Sequence, residues 1–162
     1  MDRPKGMQQH EFAAYVAGMM NAGLDPDRVI QVVGDAPASA GFHLPDGHFT
    51  NSVGHLENYT AALDLSVKHP GAHLTTEQIQ TILDSLSEHG FIGWYRPWGR
   101  AEHCHMVYCG LPMKPQLRGQ VHDWFQHRDG LADHGFNDFV TPSKAEDDAC
   151  RALFLAHNPA TR

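Results

Sequence analysis

The sequence has few cysteines, few basic residues and no long apolar run. Its three cysteines, Cys104, Cys109 and Cys150, are an odd number, which does not indicate a disulfide framework. Twelve Lys and Arg against 19 Asp and Glu give a net charge of −7. This argues against nucleic acid as a partner, because phosphate binding needs a basic surface.

Segments and motifs of several other protein classes are also missing. No apolar run approaches the ~20 residues of a membrane span. The N-terminus lacks the apolar core of a signal peptide, which leaves the compartment open, export to the cell wall included. The serine-hydrolase elbow, the phosphate-binding glycine loop and the H-E-x-x-H helix do not occur, so these three enzyme classes are disfavoured.

The composition is that of a globular chain rich in one residue type. With 162 residues and 41% apolar content, we predict a single domain over 1–162, with a loose tail at 1–6. The unusual feature is 13 histidines. Because imidazole is the commonest metal ligand, a metal site is the first hypothesis for some of them. Most of the others, His43 included, we expect at the surface.

Apolar periodicity predicts an α+β fold. Helical spacing covers four segments: 8–21, 75–86, 117–125 and 143–157. Strand patterns cover three segments: 61–67, 91–95 and 104–109. Residues 29–33 fit a strand or a helix equally well, and 34–50 are typical of a loop. We therefore predict a small, mainly antiparallel sheet with helices packed on it.

The segment from Glu102 to Cys109 concentrates ligand-capable side chains in one predicted strand. Strand alternation places His103 and His105 on one face and Cys104 on the other. Glu102 joins the histidines only if the backbone bulges. Two imidazoles on one face can approach a single metal, although a solvated face is the alternative. A structural zinc site that includes the cysteines is disfavoured, because no C-x-x-C knuckle occurs.

Asp64 is the second conspicuous residue, because its strand neighbours are apolar. Burying a carboxylate among Leu63 and Leu65 is costly unless a partner compensates it. That partner is a metal, an arginine or a helix N-terminus. Zinc hydrolytic sites usually take three protein ligands and leave one position for water. His55, from a polar loop, can supply the third ligand.

These motifs resemble the zinc D-Ala-D-Ala carboxypeptidases, a family that includes lysostaphin-type peptidases and the hedgehog signalling domain. Ala62–Leu65 matches the end of the family motif S-x-H-x-x-G-x-A-x-D. Glu102–His105 matches both E-x-x-H and H-x-H. The resemblance covers roughly residues 50–110, the predicted metal-site core, and implies the hedgehog/DD-peptidase-like fold. The family spacing puts the first ligand at Glu57, whereas His55 requires a two-residue insertion.

The resemblance implies a role for each matched residue. His55, Asp64 and His105 are expected to bind zinc, with Glu57 as the alternative to His55. Glu102 is expected to be the general base or acid, and His103 to stabilise the transition state.

From this resemblance we expect a zinc-dependent peptidase or amidase acting on small peptides, such as the D-amino-acid peptides of bacterial cell wall. Peptides or peptidoglycan fragments would be its substrates. A non-catalytic metal- or peptide-binding domain on the same fold is the alternative, and the oligomeric state stays open.

Overall fold

A computed structural model describes residues 1–34, 41–97, 102–136 and 143–159. The helices in these ranges are α1 Gln9–Asn21, α2 Thr76–Ser87, α3 Pro115–Phe125 and α4 Lys144–His157. The strands are β1 Val29–Gln31, β2 Gly47–Thr50, β3 Leu56–Tyr59, β4 Ala62–Ser66, β5 Phe91–Arg96 and β6 His103–Tyr108. None of the helices in the described part of the chain has the length and apolar character needed to cross a bilayer.

The strands form a four-stranded sheet and a separate hairpin. The sheet has the order β1-β4-β6-β5, and every neighbouring pair is antiparallel. Among the described residues, strands β2 and β3 form a two-stranded sheet of their own. The fold is therefore α+β with a small antiparallel sheet, which confirms the predicted class. The predicted hairpin of β5 and β6 after α2 is also confirmed.

Local sequence signals explain where two of the helices begin. The Thr75 side chain accepts a hydrogen bond from Gln78 N, and the Gln78 side chain accepts one from Thr75 N. Ser143 and Glu146 make the same reciprocal pair at the start of α4. Such capping boxes satisfy backbone donors that a helix leaves unpaired in its first turn.

The sequence-based boundaries differ from the structure in three places. Residues 29–33, which fitted a strand or a helix, contain strand β1. The predicted loop at 34–50 contains strand β2, and its residues 35–40 lie outside the described ranges. The predicted loose tail at 1–6 makes defined contacts, because Arg3 pairs with Glu57 at 3.1 Å and Gly6 O accepts a 2.9 Å hydrogen bond from Thr60 N.

Regular strand pairing sets the positions of the candidate site residues. Strand β6 pairs without interruption with β4 and with β5. His105 stands directly between Asp64 of β4 and Trp94 of β5. Cross-strand partners project on the same face of a sheet, so these three side chains form a row. Tyr108 has the opposite parity in β6, and it contacts His10 of α1.

Candidate metal centre

Three buried side chains converge beside the sheet: His43, Asp64 and His105. The potential ligand atoms of these residues all lie within 4.8 Å of one another. Their exposed fractions are 3%, 8% and 5%, respectively. Strands β4 and β6 bring Asp64 and His105 together, and His43 comes from the segment that precedes β2. This group could hold a metal ion.

Asp64 is the shared partner of both histidines. Its Oδ1 lies 3.0 Å from Nδ1 of His105, and its Oδ2 lies 3.2 Å from Nε2 of His43. Burial alone would raise the pKa of Asp64, but the hydrogen bonds with His105 and His43 hold this pKa below its ordinary value. The carboxylate is therefore the ionised member of the group.

The far side of the His105 ring is fixed by Gln120 of α3. His105 Nε2 lies 2.7 Å from Gln120 Oε1, and Gln120 Nε2 donates to Gly130 O at 3.2 Å. The indole of Trp94 stacks on the imidazole, with ring centroids 6.0 Å apart and planes 19° apart. Burial lowers the pKa of His105, and the neighbouring Asp64 only partly opposes this shift. The site therefore favours a neutral imidazole held in one orientation.

His43 is held by its far nitrogen in the same way. Its Nδ1 lies 2.9 Å from the carbonyl oxygen of Val32, which can only accept a hydrogen bond. The His43 and His105 rings meet edge to face, with centroids 5.3 Å apart. Nδ1 of His43 is therefore the protonated nitrogen, and Nε2 faces Asp64.

The contacts of Asp64 with His43 and His105 require a proton or a cation between the ring nitrogens and the carboxylate oxygens. A neutral imidazole has one N–H, and each histidine lies between two hydrogen-bond acceptors: His43 between Val32 O and Asp64, and His105 between Gln120 Oε1 and Asp64. If each ring donates to its far acceptor, its other nitrogen presents a lone pair to Asp64. These two contacts need either a second proton on each ring or one shared metal cation. Ligating histidines commonly donate their far N–H to a carbonyl or carboxylate.

His103 stands at the more open side of the group. Its Nε2 lies 3.8 Å from Asp64 Oδ1, and 24% of its side chain is exposed. It shares a sheet face with His105, as strand alternation predicted. Its distance places it next to the three buried residues rather than among them.

The structure separates Glu102 from this group. Its Oε2 accepts a 2.7 Å hydrogen bond from the Tyr95 hydroxyl and lies 2.8 Å from His73 Nε2, while Oε1 lies 3.8 Å from Lys68 Nζ. The described pairing of β6 begins at His103 and keeps a regular register from there. Glu102 thus contacts Tyr95, His73 and Lys68, and its role as general base or acid stays a prediction.

The structure places neither predicted first ligand, His55 or Glu57, with the three buried residues. His55 is exposed in the turn between β2 and β3. Glu57 accepts hydrogen bonds from Arg3 at 3.1 Å and Asn51 at 3.3 Å. The third member of the group is His43, which lies outside the predicted core of 50–110. Its expected surface position was wrong. The one local signal was its apolar neighbours, Phe42 and Leu44.

Comparisons with known proteins add no relative. No protein-family model matches the chain, and no curated protein or solved structure matches it significantly.

Proposed function

We propose that this chain is a zinc-dependent hydrolase of amide bonds in small peptides, with His43, Asp64 and His105 as its zinc ligands. The observation that carries the proposal is the convergence of two buried imidazoles on one buried carboxylate. The far nitrogens of both histidines lie at hydrogen-bond distance from carbonyl oxygens, so their near nitrogens can offer lone pairs to a metal shared with Asp64.

The donor set fits zinc in chemistry and in spacing. Two imidazole nitrogens and one carboxylate oxygen form a common three-ligand set of catalytic zinc, with a fourth position for water. Ligand atoms about 2.0–2.2 Å from a tetrahedral ion lie roughly 3.3–3.6 Å apart. The separations of 3.0 Å from His105 to Oδ1 and 3.2 Å from His43 to Oδ2 are close to this spacing, and the ligand atoms of all three residues lie within 4.8 Å of one another. An ionised Asp64 and a neutral His105 are the protonation states that coordination requires.

The chemistry follows from these residues. Zinc bound there would lower the pKa of a coordinated water and polarise the amide carbonyl. Asp64 offsets the positive charge, and Gln120 and Val32 hold the two imidazoles in their ligating tautomers. His103 adjoins the group on its open side, where its imidazole can accept a proton or donate a hydrogen bond to the carbonyl oxygen.

The proposed substrate class comes from the family resemblance. The matches at Ala62–Leu65 and Glu102–His105 favour a hedgehog/DD-peptidase-like fold and the D-amino-acid peptides of bacterial cell wall. His43 takes the place that the family motif assigns to a histidine much closer to Asp64. The proposed centre is therefore of the family's type, but its first histidine ligand is His43 from the segment before β2.

The test combines metal content with turnover. Protein purified without chelator is analysed for zinc, reconstituted, and incubated with peptides ending in D-Ala-D-Ala and with muropeptides. We expect about one zinc per chain and cleavage that His43→Ala abolishes. Less than about a tenth of an equivalent of zinc after reconstitution would refute the metal site. Full zinc loading without cleavage would refute the hydrolase assignment.

A metal-binding domain without turnover is the second candidate. The observation that favours it is the position of Glu102, whose carboxylate contacts Tyr95 and His73. Under this alternative the chain binds zinc or a peptide but cleaves no member of the panel. Peptide binding by the zinc-loaded protein, measured by calorimetry, separates this candidate from a site of purely structural function.

A further inference from the structure

Lys114, which directly precedes α3, contacts the segment that carries His43. Its Nζ donates to Phe42 O at 2.9 Å, to Leu44 O at 2.6 Å and to Asp46 Oδ1 at 3.1 Å. An ammonium group has three donors, so all three are used. The two carbonyls belong to the residues on either side of His43. Lys114 thus fixes the backbone on both sides of His43 by hydrogen bonds.

Asp46, the partner of Lys114, also bonds to the residues that precede strand β4. Its side chain is fully buried, and Oδ1 also accepts from Lys114 N at 2.8 Å. Its Oδ2 accepts from Ala61 N at 2.7 Å and from Thr60 Oγ1 at 3.1 Å. Thr60 and Ala61 directly precede β4, the strand of Asp64. The ion pair therefore joins the His43 segment to a strand that carries another proposed ligand.

Lys114 connects a third part of the site as well. It is the N-cap residue of α3, the helix that carries Gln120. One partly buried ion pair thus lies where three elements meet: the His43 segment, β4 and α3. Because all three ammonium donors are matched, the pair stabilises one arrangement of these elements, and any other arrangement would leave the Asp46 charge without its partner.

We infer that Lys114 is a positioning residue of the metal centre, which holds His43 at ligand distance from Asp64 through Phe42 O, Leu44 O and Asp46. This inference rests on the proposed zinc site. Lys114 itself supplies no ligand, because its ammonium group is engaged with the backbone and Asp46. Its effect on zinc must therefore pass through His43.

A double-mutant cycle tests the inference. Zinc affinity is measured by competition with a chromophoric chelator for wild type, Lys114→Met, His43→Ala and the double variant. Lys114→Met keeps the aliphatic stem and is expected to weaken zinc binding ~10–100-fold, as loss of outer-shell support usually does. In the His43→Ala background we expect no further loss. Lys144→Met, at an 87% exposed lysine, is the control and should bind as wild type.

A second measurement needs no metal. Imidazole nitrogen chemical shifts of the metal-free protein should change at His43 in Lys114→Met, while those of His73 stay constant. If Lys114→Met does not fold, Lys114→Gln replaces it in both measurements. Equal losses of affinity in both backgrounds, or unchanged His43 shifts, would overturn the inference. A wild type that binds no zinc refutes the proposed function instead, and the chemical shifts then decide the role of Lys114.

Discussion

Nδ1 of His105 lies 3.0 Å from Oδ1 of Asp64, and the two residues are direct partners across the antiparallel pair of β4 and β6. Two members of the candidate site are thus positioned by the sheet itself. Sites on strands are held more accurately than sites on loops. His43 comes from a loop, so its position depends on tertiary contacts such as Val32 O and the Lys114–Asp46 pair.

The shared position of Asp64 predicts that its charge is essential for metal binding. Asp64→Asn keeps the shape of the side chain but removes the anion that faces both histidines. We expect its zinc affinity to fall by more than the ~10–100-fold of a typical outer-shell change. Equilibrium dialysis followed by metal analysis measures this. Glu102→Gln is the control, because Glu102 contacts Tyr95 and His73, and it should retain one zinc per chain.

The choice of third ligand can be decided by two histidine variants. His43→Ala should weaken zinc binding by more than Lys114→Met does, because it removes one of three buried donors. His55→Ala should leave zinc binding unchanged, since His55 is exposed in the hairpin turn. Both proteins are titrated with zinc in the same chelator competition. A loss of zinc affinity in His55→Ala alone would show instead that His55 is the third ligand, as predicted from the sequence.

Strand geometry explains which parts of the site were predictable. Alternation along β6 put His103 and His105 on one face, and the structure confirms that placement. The same alternation put Glu102 opposite His105. Only the family motif brought Glu102 to the metal, and it required a bulge, whereas the described pairing of β6 from His103 onward is regular. Local periodicity is therefore the better guide wherever strand pairing is regular.

His43 was not predictable from local sequence for a physical reason. It lies in neither a helix nor a strand, so no periodicity indicates which way its side chain points. The backbone on either side of it contacts Lys114, about seventy residues later, and Lys114 pairs with Asp46, whose partners Thr60 and Ala61 directly precede β4. Such contacts between distant segments leave no spacing pattern. The helices and the main sheet were predictable because their signals, apolar periodicity and capping boxes, are local.

The hydrogen bond between His105 and Gln120 gives a further prediction. Gln120→Leu keeps the bulk of a buried side chain but leaves the Nε2–H of His105 without an acceptor. We expect zinc affinity to fall ~10–100-fold, as for other outer-shell partners of ligating histidines. Gln116→Leu is the matched control, because Gln116 lies one turn earlier on α3 and is exposed. Equal zinc affinity of the two variants would contradict a role for Gln120.

A prediction independent of the metal concerns Glu11 in the first turn of α1. Its side chain is fully buried, and its Oε1 has no hydrogen-bond partner among the described residues. Burial raises the pKa of Glu11 well above its ordinary value, despite the hydrogen bond from Gln8 N. A raised carboxyl pKa means that the folded state binds this proton more tightly than the unfolded state. The resulting stabilisation is complete below the unfolded pKa, about 4.3, and is lost as pH rises toward the folded value.

Glu11→Gln, which imitates the protonated carboxyl, should therefore gain stability relative to wild type as pH rises from 5 to 8. The gain can be at most about 1.4 kcal/mol per pH unit, because a single proton is involved. Urea unfolding of both proteins at several pH values measures it. Glu146→Gln is the matched control, because Glu146 occupies the same capping-box position in α4 but is only half-buried. If the stability difference between Glu11→Gln and wild type is the same at pH 5 and pH 8, Glu11 does not hold its proton in the folded protein.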